Sequence, residues 1–167
     1  EGGAERLGEA GRVVADLAAS QNGRLRPRLV VSQTRVRSDM ELGISMRALA
    51  GRYPEVVLTG INLSAYGYDL FPRQTLLDLV GEMQHLRGVE IIRLSSLDPR
   101  YIRYHFIKEL SRMPKVADSF HFSLQSGSDA VIRRMNRGSK SAEYLKILSH
   151  FRDYFPGANM GADFIVG

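Results

Sequence analysis

Four stretches of the 167-residue sequence carry side chains suited to binding chemistry: Thr59-Gly60-Ile61-Asn62, Ser95-Ser96, Gln125-Ser126-Gly127-Ser128, and the terminal Gly167. They supply hydroxyls, carboxamides and glycines, with no acid or base among them. Such groups grip a polar molecule through hydrogen bonds without adding charge, and glycine lets it approach the backbone closely. The densest run is His121–Asp129, HFSLQSGSD, where an apolar stretch turns abruptly polar. Ser128 and Asp98 serve equally well as helix caps. Gln125 is a poor capper and a poor strand former, so it reads as a binding group. No Ser-His-Asp set or carboxylate pair stands out, which argues against hydrolase chemistry. His105 and His121 have no Asp, Glu or His at ligand spacing, and no residue is assigned as catalytic or metal-binding.

The elements that must position these groups follow a rhythm. Arg28–Gln33, Glu55–Gly60, Val89–Ser96, Ser119–Leu124 and Ala158–Gly167 are short apolar runs read as strands. Between them lie helical patterns. Met40–Gly51 follows a Ser38-x-x-Glu41 capping box. Gln74–Leu86 places Leu76, Leu77, Leu79, Val80 and Met83 on one face. A third helix begins at Asp98-Pro99 and runs through RYIRYHFIKELSRM. Two more follow, one capped by Ser128-Asp129 and the other being AEYLKILSHFRDYF. Alternating strands and helices call for a parallel sheet with right-handed crossovers. The continuous apolar strands predict a sheet covered on both faces. A doubly wound sheet and a TIM-like barrel or part-barrel both satisfy this, and in either the ligand lies at the carboxyl ends of the strands, where the four polar stretches fall. Residues 1–27 read as a separate N-terminal helix or linker remnant, with Gly8–Ser20 as an amphipathic helix, and residues 28–167 as the α/β core.

Composition sets outer bounds. Apolar content of 44% and charged content of 25% are those of an ordinary soluble domain. No apolar run approaches the roughly 20 residues of a membrane span, and no secretory leader is visible. A cytoplasmic monomer is the expectation. The net charge of +5 is compatible with a phosphate-rich partner, although a solvated basic surface explains it as well. Arg100, Arg103, Lys108, Arg112 and Lys115 recur along one helical stretch and read mainly as such a surface; Arg35 and Arg37 are better candidates for ligand contacts.

The stretches EVVLTGINLSAYGYDL, IRLSSLDP, FHFSLQSGSDAVIRRMNRGSKSAEYL and GADFIVG follow one another as in the radical-SAM methylthiotransferases, the MiaB-like enzymes that add a methylthio group to a hypermodified adenosine beside the tRNA anticodon. The sequence resembles this family over residues 33–167. The LTGIN…YG stretch is most similar to the branch acting on threonylcarbamoyl-adenosine, and the ribosomal-protein branch fits least well. The resemblance implies a partial parallel (βα)6 TIM-like barrel, here cut to about five strands, holding S-adenosylmethionine across its strand ends. It implies Thr59, Gly60 and Asn62 near the methionyl amine, Ser96, Gln125 and Ser126 near the ribose and carboxylate, and Arg137 paired with the carboxylate. For Arg137, capping of helix-end carbonyls is the competing use. The implied partners are tRNA, a sulfur source and an electron-donor protein.

The family holds [4Fe–4S] clusters through cysteines, and this sequence has none. The strand RLVVSQ runs directly into TRVRSD, which resembles the basic segment following the Cys-x-x-x-Cys-x-x-Cys loop. The first expectation is therefore a cluster loop missing between Gln33 and Thr34. A second is a paralogue that lost the loop and with it the radical chemistry, leaving a non-catalytic SAM- or RNA-binding part-barrel. A weaker third places Asn22, Arg26 and Leu29 at the cysteine positions. The end at DFIVG is also expected to lack a sixth βα unit and the RNA-binding domain that usually follows.

Overall fold

A computed structural model describes residues 11–19, 25–33, 53–60, 62–67, 73–138 and 140–166, with side chains from residue 53 onward. The Gln33–Thr34 junction leads into residues 34–52. The expected helix at Met40–Gly51 and the candidates Arg35 and Arg37 thus lie outside the described residues, as does Gly167.

Six strands are described: β1 (Gly11–Ala19), β2 (Leu25–Gln33), β3 (Glu55–Gly60), β4 (Ile91–Leu94), β5 (Ser119–Gln125) and β6 (Asn159–Phe164). The four described α-helices are α1 (Leu76–Gln84), α2 (Tyr104–Leu110), α3 (Asp129–Arg134) and α4 (Ser141–Tyr154). Strands β2, β3 and β4 pair in parallel in sequence order, and β5 pairs in parallel with β6. Parallel bridges Ile92–Val116 and Leu97–Phe122 join the two sets. Five parallel strands thus lie side by side in chain order. A doubly wound sheet would reverse its order at some point, and this one does not. The fold is an α/β part-barrel of the TIM-like kind.

The N-terminal expectation is corrected. Gly11–Ala19 is a strand, not a helix, and pairs antiparallel with β2 from Gly11–Gln33 to Ala19–Leu25. The β-branched Val13-Val14 suits a strand, and the edge of β2 provides the ladder that a lone helix would lack. The sheet therefore reaches into residues that the sequence alone assigned to a separate segment.

Burial alternates along β5: Phe120, Phe122 and Leu124 are buried, while Ser119, His121, Ser123 and Gln125 are half-exposed. Strand β4 alternates likewise, with Ile92 and Leu94 inside. The expectation of two equally covered faces is thus corrected. One face is dry and packed by helices; the other carries polar side chains, as the inner face of an incomplete barrel must. Beneath the dry face, Phe120, Phe122, Phe151 and Phe155 form an aromatic cluster with centroids 4.8–6.0 Å apart. Helix α1 buries Leu76, Leu79, Val80 and Met83, as its periodicity predicts, and starts with a reciprocal Thr75–Asp78 capping box.

The third expected helix is interrupted. Asp98 accepts from the Arg100 amide and Pro99 opens a 3-10 turn, so the expected cap is real. The turn ends at Tyr101, Ile102 and Arg103 are extended, and α2 begins only at Tyr104. Burying the Ile102 side chain, 1% exposed, holds the break open.

Candidate functional site

The carboxyl ends of the parallel strands share one edge. Gly60 lies beside Gln33, the Ser95 amide donates to the Leu58 carbonyl at 2.9 Å, Leu97 bridges Phe122, and Gln125 lies beside Phe164. The expected residues Thr59, Gly60, Ser96 and Gln125 all fall at this edge. Asn62 follows it, exposed, in the turn that leads into a short 3-10 segment at Leu63–Ala65.

Two local features mark the edge as built for more than pairing. Between Phe122 and Gln125 strand β5 advances three residues while β6 advances two, from Ala162 to Phe164. That extra residue is a bulge, a device that re-aims side chains at strand ends. Gln125 itself has φ 68°, a left-handed conformation that is costly for a residue with a Cβ. Its carbonyl is held by the Ile165 amide at 2.9 Å. Just beyond it, the Ser126 hydroxyl accepts from the Ser128 amide at 3.1 Å, while Ser128 makes no side-chain cap to α3. A Cβ at Gly127 would meet nothing within 4 Å, so the backbone there is accessible.

The path between β4 and β5 is irregular too. Leu94 and Leu97 are both buried although three residues apart, so Ser95 and Ser96 pass through a kink. The Ser95 hydroxyl is buried there without a hydrogen-bond partner. Buried hydroxyls are rarely left unpaired, because desolvation costs about 1–3 kcal/mol. This serine, noted in sequence but not chosen as a ligand contact, has a stronger claim than a sequence could reveal.

Arg137 does not reach back to its own helix. Its Nη1 donates to the Ser123 carbonyl on β5 and lies 3.9 Å from the Asp98 carboxylate. Asp98 in turn binds Arg100 through both carboxylate oxygens, with Arg100 Nη2 at 2.6 Å. Burial pushes the Asp98 carboxyl up, but the Arg100 hydrogen bonds and the charges of Arg100 and Arg137 outweigh it and hold it below its ordinary value. The cluster braces the β4 and β5 ends against each other. The basic residues expected on one helix are likewise dispersed: Arg112 pairs with Glu109, and Lys115 donates to the Leu86 carbonyl.

The inner face holds an ion pair and a histidine–carboxylate hydrogen bond, both invisible in the sequence. Arg93 Nε lies 2.6 Å from Glu55 Oε1 across β3 and β4. His121 Nε2 lies 2.9 Å from Asp163 Oδ2 across β5 and β6. Gly161 makes the second possible, since a Cβ there would come within 3.1 Å of His121 Nδ1. Another glycine constraint sits in the YG motif, where Gly67 has φ 77° and a Cβ would collide with the Gln74 carbonyl. His121 thus has an acidic neighbour after all, 42 positions away, and His105 has Glu109 at 3.9 Å one helical turn on; among the described residues no group of three His, Cys, Asp or Glu side chains could hold a metal.

The donor set suits S-adenosylmethionine in kind: hydroxyls, a carboxamide, open backbone, an orphaned buried serine and one guanidinium at a single rim. It does not suit an iron–sulfur cluster, for which this sequence provides no thiolate.

No family model matches the sequence. The fold is similar to that of the cobalamin-dependent S-adenosylmethionine radical enzyme OxsB. With aqua-cobalamin bound, that structure aligns with TM-score 0.54 and 16% identity, covering 77% of this chain and 19% of OxsB. With aqua-cobalamin and S-adenosylmethionine bound, the TM-score is 0.55 at the same identity and coverage. The chain therefore shares its part-barrel fold with a segment of that enzyme and spans about a fifth of the enzyme's length.

Proposed function

We propose that the strand-end rim binds S-adenosylmethionine, and that the chain is the barrel core of a radical-SAM protein of the tRNA methylthiotransferase kind, in the branch acting on threonylcarbamoyl-adenosine. The observation that carries this reading is Gln125, which pairs a strained left-handed backbone with a bulge at the end of a strand. Strain of this kind persists where the surroundings enforce it, and it concentrates at ligand sites. The similarity to a fold that holds S-adenosylmethionine in OxsB supports the ligand class.

In this reading Thr59, Gly60 and Asn62 receive the methionyl amine. Ser96, Gln125 and Ser126 take the ribose and carboxylate. Arg137, still 19% exposed at its side chain, offers its unshared guanidinium edge to the carboxylate. In a radical-SAM enzyme the bound sulfonium is the source of a 5′-deoxyadenosyl radical once an electron reaches it. The tRNA, the sulfur source and the electron donor belong to the whole protein and are part of the proposal. The chain's own residues bind and orient; none of them can ligate the cluster that would deliver the electron.

A second reading, a binding module without radical chemistry, is favoured by the absence of cysteine from the sequence. Titration calorimetry with S-adenosylmethionine, then reconstitution of the full-length protein with iron and sulfide, separates the two. Binding that weakens in Gln125→Ala, followed by cluster absorption and release of 5′-deoxyadenosine, supports the enzyme. Binding with no cluster and no deoxyadenosine supports the module. No binding of S-adenosylmethionine sinks the enzyme reading and the S-adenosylmethionine-binding module alike.

A further inference from the structure

A second cleft lies outside the rim, between the segment that follows β4 and helix α4. Its volume is about 900 Å³, within the ordinary range for small-molecule sites. Arg100, Arg103 and Tyr104 form one wall, and Tyr144, Lys146 and His150 the other. Tyr144 is 3% exposed, yet its hydroxyl has no hydrogen-bond partner. A buried phenol normally finds a partner, and this one, on the wall of the cleft, has none among the described residues.

The charges define that molecule further. Arg100 is neutralised by Asp98, but among the described residues Arg103 and Lys146 have no carboxylate within ion-pair distance. Arg103 is instead fixed by donating Nη1 to the carbonyls of Arg100 and Ile102, at 3.0 and 3.4 Å. His150 adds a third nitrogen base, 3.7 Å from Asp153, and Glu143 is turned to the Lys140 amide at 3.3 Å. Several donors converging from two walls suit a phosphate, whose terminal oxygens accept from several directions. Tyr104 adds an aromatic surface. Tyr104 is 51% exposed as a residue, and its ring makes edge contacts to His150 and Tyr154, with centroids at 5.2 and 5.6 Å. Such a ring is a stacking platform for a base.

We propose that this cleft binds a nucleoside phosphate: the phosphate sits among Arg103, Lys146 and the Tyr144 hydroxyl, and the base packs on Tyr104. The site is separate from the strand-end rim and stands or falls independently of S-adenosylmethionine binding there. The phosphate can come from a free nucleotide or from one residue of a single-stranded RNA.

The test is titration of the full chain with AMP, inorganic phosphate and a five-residue oligoadenylate at low salt. AMP is expected to bind roughly tenfold more tightly than phosphate because of base stacking. Lys146→Glu should weaken AMP binding about tenfold by reversing an unpaired charge at the phosphate. Tyr144→Phe should weaken it about fivefold while leaving the Tm unchanged or raised, because the variant removes a buried, unpaired hydroxyl. Oligoadenylate binding more tightly than AMP identifies the source as RNA, and equal or weaker binding a free nucleotide; both outcomes uphold the site. Failure of AMP to bind overturns the proposal. So does wild-type affinity in both variants, or inorganic phosphate binding as tightly as AMP.

Discussion

His121 and Phe122 are neighbours in sequence and belong to opposite worlds. Phe122 is fully buried against Phe151 under the helices, with centroids 5.0 Å apart. His121 lies on the inner face of the part-barrel, paired with Asp163 and 42% exposed at its side chain. One face of the sheet holds the fold together; the other carries charge, bulge and strain. Because a strand sends successive side chains to opposite faces, stability and binding are separable one residue at a time.

The sharpest way to break this contrast is to cut both neighbours back to alanine. Phe122→Ala is expected to cost about 3–5 kcal/mol, enough to unfold a marginal domain, read as a collapse of the denaturation midpoint. At the other end of the scale, His121→Ala should cost under about 1 kcal/mol, as the loss of a half-exposed polar contact does. Equal losses in the two variants would mean that the inner face is as structural as the outer one.

Between these extremes lies Asp98, where the two faces meet at the rim. Its folded carboxyl is depressed below the ordinary 3.8, so it contributes stability above that value, and the contribution disappears as pH falls through the lower folded value. Asp98→Asn should cost about 1–3 kcal/mol at neutral pH, in the range of hydrogen bonds to charged groups. The gap in Tm between variant and parent should be smaller at pH 3 than at pH 7 and shrink further as the pH falls. A constant gap between them would show that the carboxylate charge is not what matters.

Gln125→Gly sharpens the comparison from the binding side. Glycine accepts the φ of 68° without strain, so stability should hold or rise by up to about 1 kcal/mol. Binding of S-adenosylmethionine should fall, since the carboxamide is gone. A clear drop in Tm would show that Gln125 is a structural residue and remove the main support for the rim as a ligand site.

Much of this architecture is legible in the sequence, for identifiable reasons. The parallel strands are short apolar runs at regular separation, and the capped helix at Leu76–Gln84 has an unambiguous periodicity. Asp98-Pro99 announces its turn through chemistry local to four residues. The misreadings involve pairing or burial outside the segment being read. Residues 11–19 have a composition that either helix or strand tolerates, and the edge of β2 decided for strand; Asn22-Gly23, a hairpin dipeptide between the two, was the available signal. The expected long helix after Pro99 breaks because Ile102 must be buried. At the site, the rim residues could be named from their place at strand ends, whereas the Tyr144 and Ser95 orphans could not, because an unpaired hydroxyl is a property of surroundings.

The sequence by itself determined the succession of strands and helices, the polar character of each strand end and the lack of any thiolate. These depend on residue type and near neighbours, which a linear reading contains. Only the tertiary structure decided that the sheet curls in chain order with one face open, that His121 meets Asp163, and that Arg137 turns to Ser123 and Asp98. Those outcomes depend on which strands become adjacent and in what register, and register is settled by packing across the whole sheet.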